Sequence, residues 1–187
     1  MLVISGALIY RSHVFRYKRF STDSNIRLCE NVAPISFSFA KIEQMTHNFK
    51  EEIGKGAFGT IYKGTIRLDG LKVVAVKRLD KVSSQGEREF QNEMKIIGRT
   101  HHRNLVRLIG YCHDGANRLL IYEYMINGSL ADVLFTPEKR PCWNDRVEIA
   151  RNIARGLLYL HEECETQIIH CEIKSQNILM DEQGKQK

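Results

Sequence analysis

Residues 53–64 read Ile-Gly-Lys-Gly-Ala-Phe-Gly-Thr-Ile-Tyr-Lys-Gly. This stretch contains a G-x-G-x-x-G cluster at 54–59, a spacing that dinucleotide-binding folds also use where the glycines open a helix. Here β-branched and aromatic residues follow the last glycine, and these residue types favour a strand. The cluster is therefore typical of a glycine-rich hairpin, which can lay backbone N–H groups over phosphates. Taken alone, it is equally compatible with an ordinary glycine-rich turn.

The residues after this hairpin predict a strand that ends in a lysine, followed by a helix. Asp69-Gly70 favours a hairpin turn, and Val73 to Val76 form a run typical of a buried strand that leads into Lys77. Ser84 and Glu87 form a capping box at the start of the helix. Phe90, Met94 and Ile97 form its apolar stripe, and Gly98 can end it. A buried ammonium needs an acidic partner. For Lys77 we expect Glu93 of this helix, with Glu89 as the alternative.

The second half of the chain predicts more helix than strand. Two strand candidates lie at 105–109 and 119–124, and a short one at 178–180. Between them, 143–161 is the longest helix candidate, with apolar residues at helical spacing: Trp143, Val147, Ala150, Ala154, Leu157 and Leu158. Strands with one helix, followed by mostly helix, predict an α+β fold in two lobes.

Composition narrows the class of protein. The chain has 187 residues, of which 43% are hydrophobic and 27% charged, and this excludes a disordered tail, a collagen-like fibre and a multi-span membrane protein. The net charge is +6, and residues 1–34 carry half of it. The positive charge is thus concentrated in an N-terminal arm, and no feature of the sequence requires binding to nucleic acid. The five cysteines are scattered without a C-x-x-C pair, which favours reduced thiols over disulfides or zinc.

The N-terminal ten residues, Met-Leu-Val-Ile-Ser-Gly-Ala-Leu-Ile-Tyr, are apolar, and a basic cluster at 11–19 follows them. Ten helical residues reach about 15 Å, half of a bilayer core. Positive charge after the apolar run argues against a signal peptide and matches the cytoplasmic end of a membrane helix. We interpret 1–10 as the last part of a transmembrane span, with a frayed apolar tail as the alternative.

One further motif completes a set. Residues 170–177 read His-Cys-Glu-Ile-Lys-Ser-Gln-Asn, directly after the long helix. A glycine loop, a strand lysine, a helix glutamate and a His-x-acid-x-Lys-x-x-Asn loop in this order are the signature of protein kinases. The chain resembles the plant receptor-like serine/threonine kinases, most closely the lectin-receptor type, over about residues 37 to 183. Residues 39–64, 102–112 and 121–130 carry that resemblance.

This resemblance implies ATP and Mg²⁺ as cofactors, Ser/Thr hydroxyls of proteins as substrate, and other receptor kinases as possible partners. The implied catalytic residues are Glu172, Lys174, Asn177, Lys77 and Glu93, with Asn177 also binding the metal. The implied nucleotide-binding residues are Ile53, Gly54, Lys55, Gly56, Ala57, Phe58, Gly59, Ile61, Ala75, Lys77, Tyr122, Glu123, Met125 and Leu179. Among these, Tyr122 would lie at the back of the pocket, while Glu123 and Met125 would offer backbone hydrogen bonds to the base.

Three departures from the family pattern predict weak or absent activity. Glu172 stands where the family has aspartate, and a carboxylate displaced by about one ångström can lower a rate about 10²-fold. Cys171 replaces an arginine that many kinases carry, so control through a phosphorylated activation loop is not expected, and Ser175 replaces the usual proline. The printed sequence also reaches Lys187 without the Asp-Phe-Gly and Ala-Pro-Glu motifs.

We therefore expect a receptor-like Ser/Thr kinase with an incomplete large lobe. The predicted parts are a transmembrane remnant at 1–10, a juxtamembrane linker at 11–40, a small lobe at 41–125 and a partial large lobe at 126–187. The expected location is a single-pass membrane protein with the kinase part in the cytoplasm, or the cytoplasm alone if the apolar segment is a remnant. The alternatives are a non-catalytic module that binds nucleotide or a partner, and a pseudogene fragment without a stable fold.

Overall fold

A computed structural model describes residues 33–56, 59–79, 84–96 and 100–181. The strands are β1 (Ile35–Ser36), β2 (Glu52–Gly56), β3 (Gly59–Leu68), β4 (Gly70–Leu79), β5 (Leu108–Asp114) and β6 (Asn117–Glu123). The α-helices are α1 (Phe39–Met45), α2 (Ser84–Ile96), α3 (Leu130–Leu134) and α4 (Trp143–Leu158). A π-helical turn (Tyr159–Glu163) continues α4, and 3-10 turns occupy Pro137–Lys139 and Ser175–Asn177.

The six strands form one sheet in the order β1-β5-β6-β4-β3-β2. All neighbours are antiparallel except β1 and β5, which run parallel. The predicted hairpin turn is confirmed, since β3 and β4 pair up to Leu68 and Gly70, and Gly70 has a φ of 115° that favours glycine. The predicted buried run alternates instead. Val74 and Val76 are fully buried while Val73 is 42% exposed, because successive side chains point to opposite faces of a strand.

Each face of the sheet packs on a helix. On one face, Ile42 and Met45 of α1 join the buried side chains of the strands, among them Val74, Val76 and Ile121. On the other face, Phe90 of α2 packs against Leu79, Leu108 and Leu120. The strand β1 pairs with β5, and the helix α1 begins at Phe39, two residues before the predicted start of the small lobe.

The predicted strand at 105–109 is shifted along the chain. The observed β5 begins at Leu108 and continues through His113 to Asp114, where Gly115 opens the turn into β6 with a φ of 52°. Pairing with β6 holds the polar end of this strand, so its boundary follows the cross-strand register rather than the apolar run. Of the predicted stripe on α2, Phe90 is buried and Met94 partly buried, while Ile97 and Gly98 lie outside the described residues.

The capping box predicted for α2 stays a prediction. The helix begins at Ser84, whose side chain lies outside the described part. The Glu87 carboxylate, which the box would direct back to Ser84, accepts hydrogen bonds from Arg118 Nε at 2.6 Å and Gln91 Nε2 at 3.0 Å. Glu87 thus forms an ion pair with Arg118 of the neighbouring strand β6.

The second lobe packs around a small core of Leu130, Ile149 and Met180. The buried face of α4 differs from the predicted stripe, because Trp143 and Leu158 are exposed while Ile149, Asn152 and Gly156 are buried. The reason is a close contact: a Cβ on Gly156 would lie 3.1 Å from Asn104 O, so the smallest residue of the helix faces the neighbouring loop. The predicted α+β two-lobed fold, with its β-rich small lobe and partial helical lobe, is confirmed.

Residues 1–10, the predicted end of a membrane span, lie outside the described residues. Among the helices that the structure describes, none combines the length and the apolar character needed to cross a bilayer.

Candidate nucleotide site and catalytic loop

The glycine cluster forms the hairpin of β2 and β3. Gly54 pairs with Ile61, and Gly56 pairs with Gly59, while Ala57 and Phe58 at the tip are outside the described residues. A Cβ on Gly56 would meet no heavy atom within 4 Å, so open space lies beside this backbone. The fold itself requires a glycine at position 59: its φ is 142°, and a Cβ there would overlap the Arg78 carbonyl.

Lys77 lies at the partly buried end of β4, opposite Ile61 on one side and Leu120 on the other. Its Nζ donates to Glu93 Oε1 at 2.8 Å, and the same Nζ also donates to Glu89 Oε1. The predicted pair with Glu93 is present, and Glu89, the alternative, contacts the lysine as well. The sequence indicates this double contact, because Glu89 and Glu93 are four residues apart and such residues share one face of a helix.

The pKa values of this cluster reflect burial and charge together. Burial lowers the pKa of Lys77, but attraction to Glu93 and the hydrogen bonds to both glutamates outweigh that effect and raise the pKa above its ordinary value. Burial raises the pKa of Glu93, Lys77 opposes this rise, and the charge of Glu89 adds to it. Lys77 is therefore held as a cation, and the two acids beside it repel each other.

Apolar residues of three strands flank the open side of the hairpin. In the register of the sheet, Ala75 of β4 lies between Lys63 of β3 and Tyr122 of β6. Tyr122 packs against the cluster of Leu79, Phe90, Leu108 and Leu120 on the α2 side. Ile61 and Ala75 are partly exposed, and Ile53 is 41% exposed. A ligand could therefore contact these side chains. Lys55, also predicted for this site, is exposed on β2.

The segment after β6 links the two lobes. The Glu123 N–H donates to Arg107 O at 3.1 Å, and its carboxylate accepts from Arg107 N at 2.8 Å. The carbonyl of Met125 accepts from Gly128 N at 3.2 Å in a turn. This turn holds the backbone of Met125, the residue predicted to offer a hydrogen bond to the base.

Leu179 reaches this region through a short bridge rather than a full strand. Leu179 pairs with Ser129, and the N–H of Leu130 donates to Ile178 O at 2.7 Å. On the other side, Met180 N donates to Gly128 O at 2.9 Å. The predicted strand at 178–180 is thus a two-residue bridge that ties the catalytic loop to the segment between the lobes.

The catalytic loop places its three predicted polar residues together. Lys174 Nζ lies 2.7 Å from Glu172 Oε1, and Asn177 Nδ2 donates to the Glu172 carbonyl at 3.1 Å. Cys171 adopts a left-handed φ of 55°, which is uncommon for a residue with a side chain. The hydrogen bonds and charge of Lys174 lower the pKa of the exposed Glu172 carboxyl. A cavity of about 70 Å³ lies between this loop and α4, lined by His170, Asn177 and Gly156 among others.

Comparison with known proteins identifies the class. Residues 47–187 match the family model described as protein tyrosine and serine/threonine kinase. The match spans most of the chain, so the chain belongs to this protein kinase family.

The most similar relatives found include receptor-like kinases. The chain is 53% identical over 147 residues to the G-type lectin S-receptor-like serine/threonine-protein kinase LECRK4 of Oryza sativa subsp. indica, covering 79% of the chain and 18% of the relative. It is 52% identical over 148 residues to RLK1 of the same type from Arabidopsis thaliana, covering 78% of the chain and 18% of the relative. LECRK1 of Oryza sativa subsp. japonica is 47% identical over 187 residues, covering 97% of the chain and 23% of the relative. The chain spans about a fifth of the length of these curated relatives.

Proposed function

We propose that the chain takes part in ATP-dependent phosphorylation of protein Ser/Thr hydroxyls, as the nucleotide-binding part and catalytic loop of a receptor-like kinase. One observation carries this proposal: Lys77, held by Glu93, lies on the strand next to a glycine hairpin with open space beside Gly56. A fixed cation next to unobstructed backbone N–H groups is suited to phosphates.

The residues present fit ATP. The backbone at Gly54, Gly56 and Gly59 would cover the phosphates, and Lys77 would bind the α- and β-phosphates. We assign the adenine to the apolar surfaces of Ile53, Ile61, Ala75 and Leu179, with Tyr122 behind them. The backbone of Met125, held in a turn by the bond from Gly128 N–H to its carbonyl, would offer a hydrogen bond to the base. The backbone of Glu123 is the second proposed contact.

For Mg²⁺ the fit rests on Asn177. Its amide nitrogen donates to the Glu172 carbonyl, so that contact does not use the amide oxygen, which is a ligand of the kind Mg²⁺ prefers. When bound, the ion neutralises charge on the phosphates. Among the described residues no group of three or more His, Cys, Asp or Glu side chains is placed to hold a metal, in keeping with an ion that keeps several waters.

The catalytic loop offers a carboxylate and a cation for phosphoryl transfer. Glu172 would accept the proton of the substrate hydroxyl, and Lys174 would offset charge on the transferred phosphoryl group. The ion pair between them holds both side chains at one point of the loop. This transfer depends on positioning and charge more than on covalent chemistry, so the geometry of Glu172 limits the rate.

The wider setting follows from the relatives, whose names describe receptor-like kinases. We propose that the chain belongs to a single-pass membrane protein with its kinase part in the cytoplasm. Residues 1–10 would be the end of the span, 11–40 the linker, 41–125 the small lobe and 126–187 the partial large lobe. Protein substrates and other receptor kinases would be its partners.

A second candidate is a non-catalytic nucleotide-binding module. The pairing of the Glu172 carboxylate with Lys174 favours it, because this ion pair lowers the pKa of the proposed base and so weakens it. Both candidates require nucleotide binding, and they differ only in phosphate transfer.

The test is a titration of the chain with a fluorescent ATP analogue and Mg²⁺. We expect Lys77→Met to lower affinity about tenfold or more, because a desolvated charge contact to phosphate is lost. The matched control is Lys72→Met, which removes an exposed lysine from the same strand and should leave affinity unchanged. Absent binding, or equal loss in both variants, would refute the proposal. Transfer of labelled phosphate to a Ser/Thr peptide then separates the two candidates.

A further inference from the structure

Lys77 has two acidic partners on one helix. Glu89 and Glu93 are four residues apart on α2, and the Oε1 atom of each accepts from the same Nζ. All three side chains are mostly buried, with 22% of Lys77, 18% of Glu89 and 16% of Glu93 exposed. Two carboxylates therefore share one cation away from bulk water.

One lysine does not satisfy both carboxylates. Like charges four residues apart destabilise a helix, and the charge of Glu89 contributes to the raised pKa of Glu93. Within the described part of the chain, Glu89 Oε2 is buried and has no hydrogen-bond partner. A buried oxygen without a partner is unfavourable, so the contact of Glu89 with Lys77 is a strained arrangement.

The surrounding charges do not relieve this excess. Glu87, two residues before Glu89 on α2, pairs with Arg118 of β6 and keeps that guanidinium at the start of the helix. Across the sheet, Lys77 faces Leu120 of β6 and Ile61 of β3, neither of which is charged. Among the described residues, Lys77 is the cation within salt-bridge distance of Glu89 and Glu93, so the cluster has a net negative charge.

We propose that Glu89 competes with the nucleotide phosphates for Lys77 and thereby lowers nucleotide affinity. This inference rests on the proposed function, in which Lys77 binds the α- and β-phosphates. Phosphates that approach Lys77 meet the uncompensated charge of a second carboxylate, and Lys77 leaves Glu89 in order to bind them. Glu93 keeps the positioning role, and Glu89 sets how readily the lysine is released. Binding is reciprocal, so a bound nucleotide weakens the contact of Glu89 with Lys77.

The test compares Glu89→Gln with Glu87→Gln in the full chain. Each variant removes one negative charge from α2, but only Glu89 contacts Lys77. Titrated with the fluorescent ATP analogue and Mg²⁺, Glu89→Gln should bind about fivefold more tightly or better, the lower end of typical coupling between competing ligands. Glu87→Gln should bind like the unchanged chain. Equal or weaker binding by Glu89→Gln overturns the inference, and weaker binding would make Glu89 a second positioning residue.

A second measurement does not need nucleotide. Acylation of Lys77 by an activated acetyl ester, followed by mass spectrometry of its peptide, reports how firmly the ammonium is held. Only the unprotonated amine reacts, so Glu89→Gln should raise this rate by about twofold or more. An unchanged rate shows that Glu89 is not a partner and overturns the inference alone. If the unchanged chain and both variants bind no nucleotide, the proposed function fails and the inference fails with it.

Discussion

The side chain of Glu172 is one methylene group longer than that of the aspartate that the resemblance to kinases implies at this position. The longer side chain reaches Lys174 Nζ at 2.7 Å, and this partner lowers the pKa of the carboxyl. If Glu172 acts as the proposed base, this lowered pKa makes it a weaker one. The same loop holds Cys171, the residue before Glu172, at a left-handed φ of 55°.

Glu172→Asp should raise the rate of phosphate transfer to a Ser/Thr peptide, by up to about 10²-fold if position alone limits the reaction. The shorter side chain withdraws from Lys174 and moves the carboxylate toward the backbone. The matched control is Glu165→Asp, an exposed glutamate of the same lobe, which should change nothing. Equal rates for Glu172→Asp and the unchanged chain would contradict this prediction.

At the scale of elements, the sequence predicts what depends on neighbours along the chain. The Asp69-Gly70 turn and the helix α2 follow from local patterns, and the structure contains both. The strand β1 was not predictable, because two residues carry no periodicity and their parallel pairing depends on Gly110 far along the chain. The same holds for the site: the spacing singles out Lys77, but the contact with both acids depends on how α2 is rotated against the sheet.

Gly110→Ala should destabilise the chain by about 1–3 kcal/mol, the usual effect of an added methyl group in a packed site. A Cβ there would overlap the Ile35 carbonyl and the Phe37 ring, so β1 would have to shift. Urea unfolding measures the loss. Gly56→Ala is the control, since a Cβ at Gly56 meets open space and stability should not change. If both variants unfold at the same urea concentration, β1 does not pack on β5 as described.

A further prediction concerns the contact of Arg78 with residues 39–49, which include α1. The guanidinium of Arg78 lies 4.8 Å from the centre of the Phe49 ring and 5.8 Å from that of Phe39, so one cation contacts the rings at both ends of the α1 segment. Arg78→Ala should destabilise this segment by about 1 kcal/mol and speed amide hydrogen exchange in residues 39–49. Arg67→Ala removes an exposed arginine of β3 and is the control. Unchanged exchange in Arg78→Ala would refute the role of Arg78.

At the scale of the whole molecule, the two lobes meet where the loop before β5 packs on the end of α4. The ring of His102 stacks on Tyr159 with centroids 4.8 Å apart, and the His101 N–H donates to the Tyr159 hydroxyl at 3.1 Å. Asn104 N–H donates to His102 Nδ1 at 3.2 Å, so this nitrogen is an acceptor and carries no proton. The loop that forms this junction thus contains a bond that requires an unprotonated Nδ1 on His102.

Burial lowers the pKa of His102, the charge of Arg103 adds to this, and Glu163 opposes it. At pH values near and just below 6.5, the ordinary pKa of histidine, the unfolded chain therefore binds more protons than the folded chain. The free energy of unfolding should accordingly fall as pH is lowered from about 7.5 to about 5.5, a range in which most carboxylates stay ionised. Urea titrations across that range measure the fall.

His102→Phe keeps a ring for the stack but cannot take up a proton, so its stability should vary less with pH. The control His47→Asn replaces an exposed histidine with a left-handed φ of 49° by a residue that tolerates this conformation, and it should keep the full pH dependence. The same slope in His102→Phe as in the unchanged chain would show that the junction between the lobes does not depend on a neutral His102.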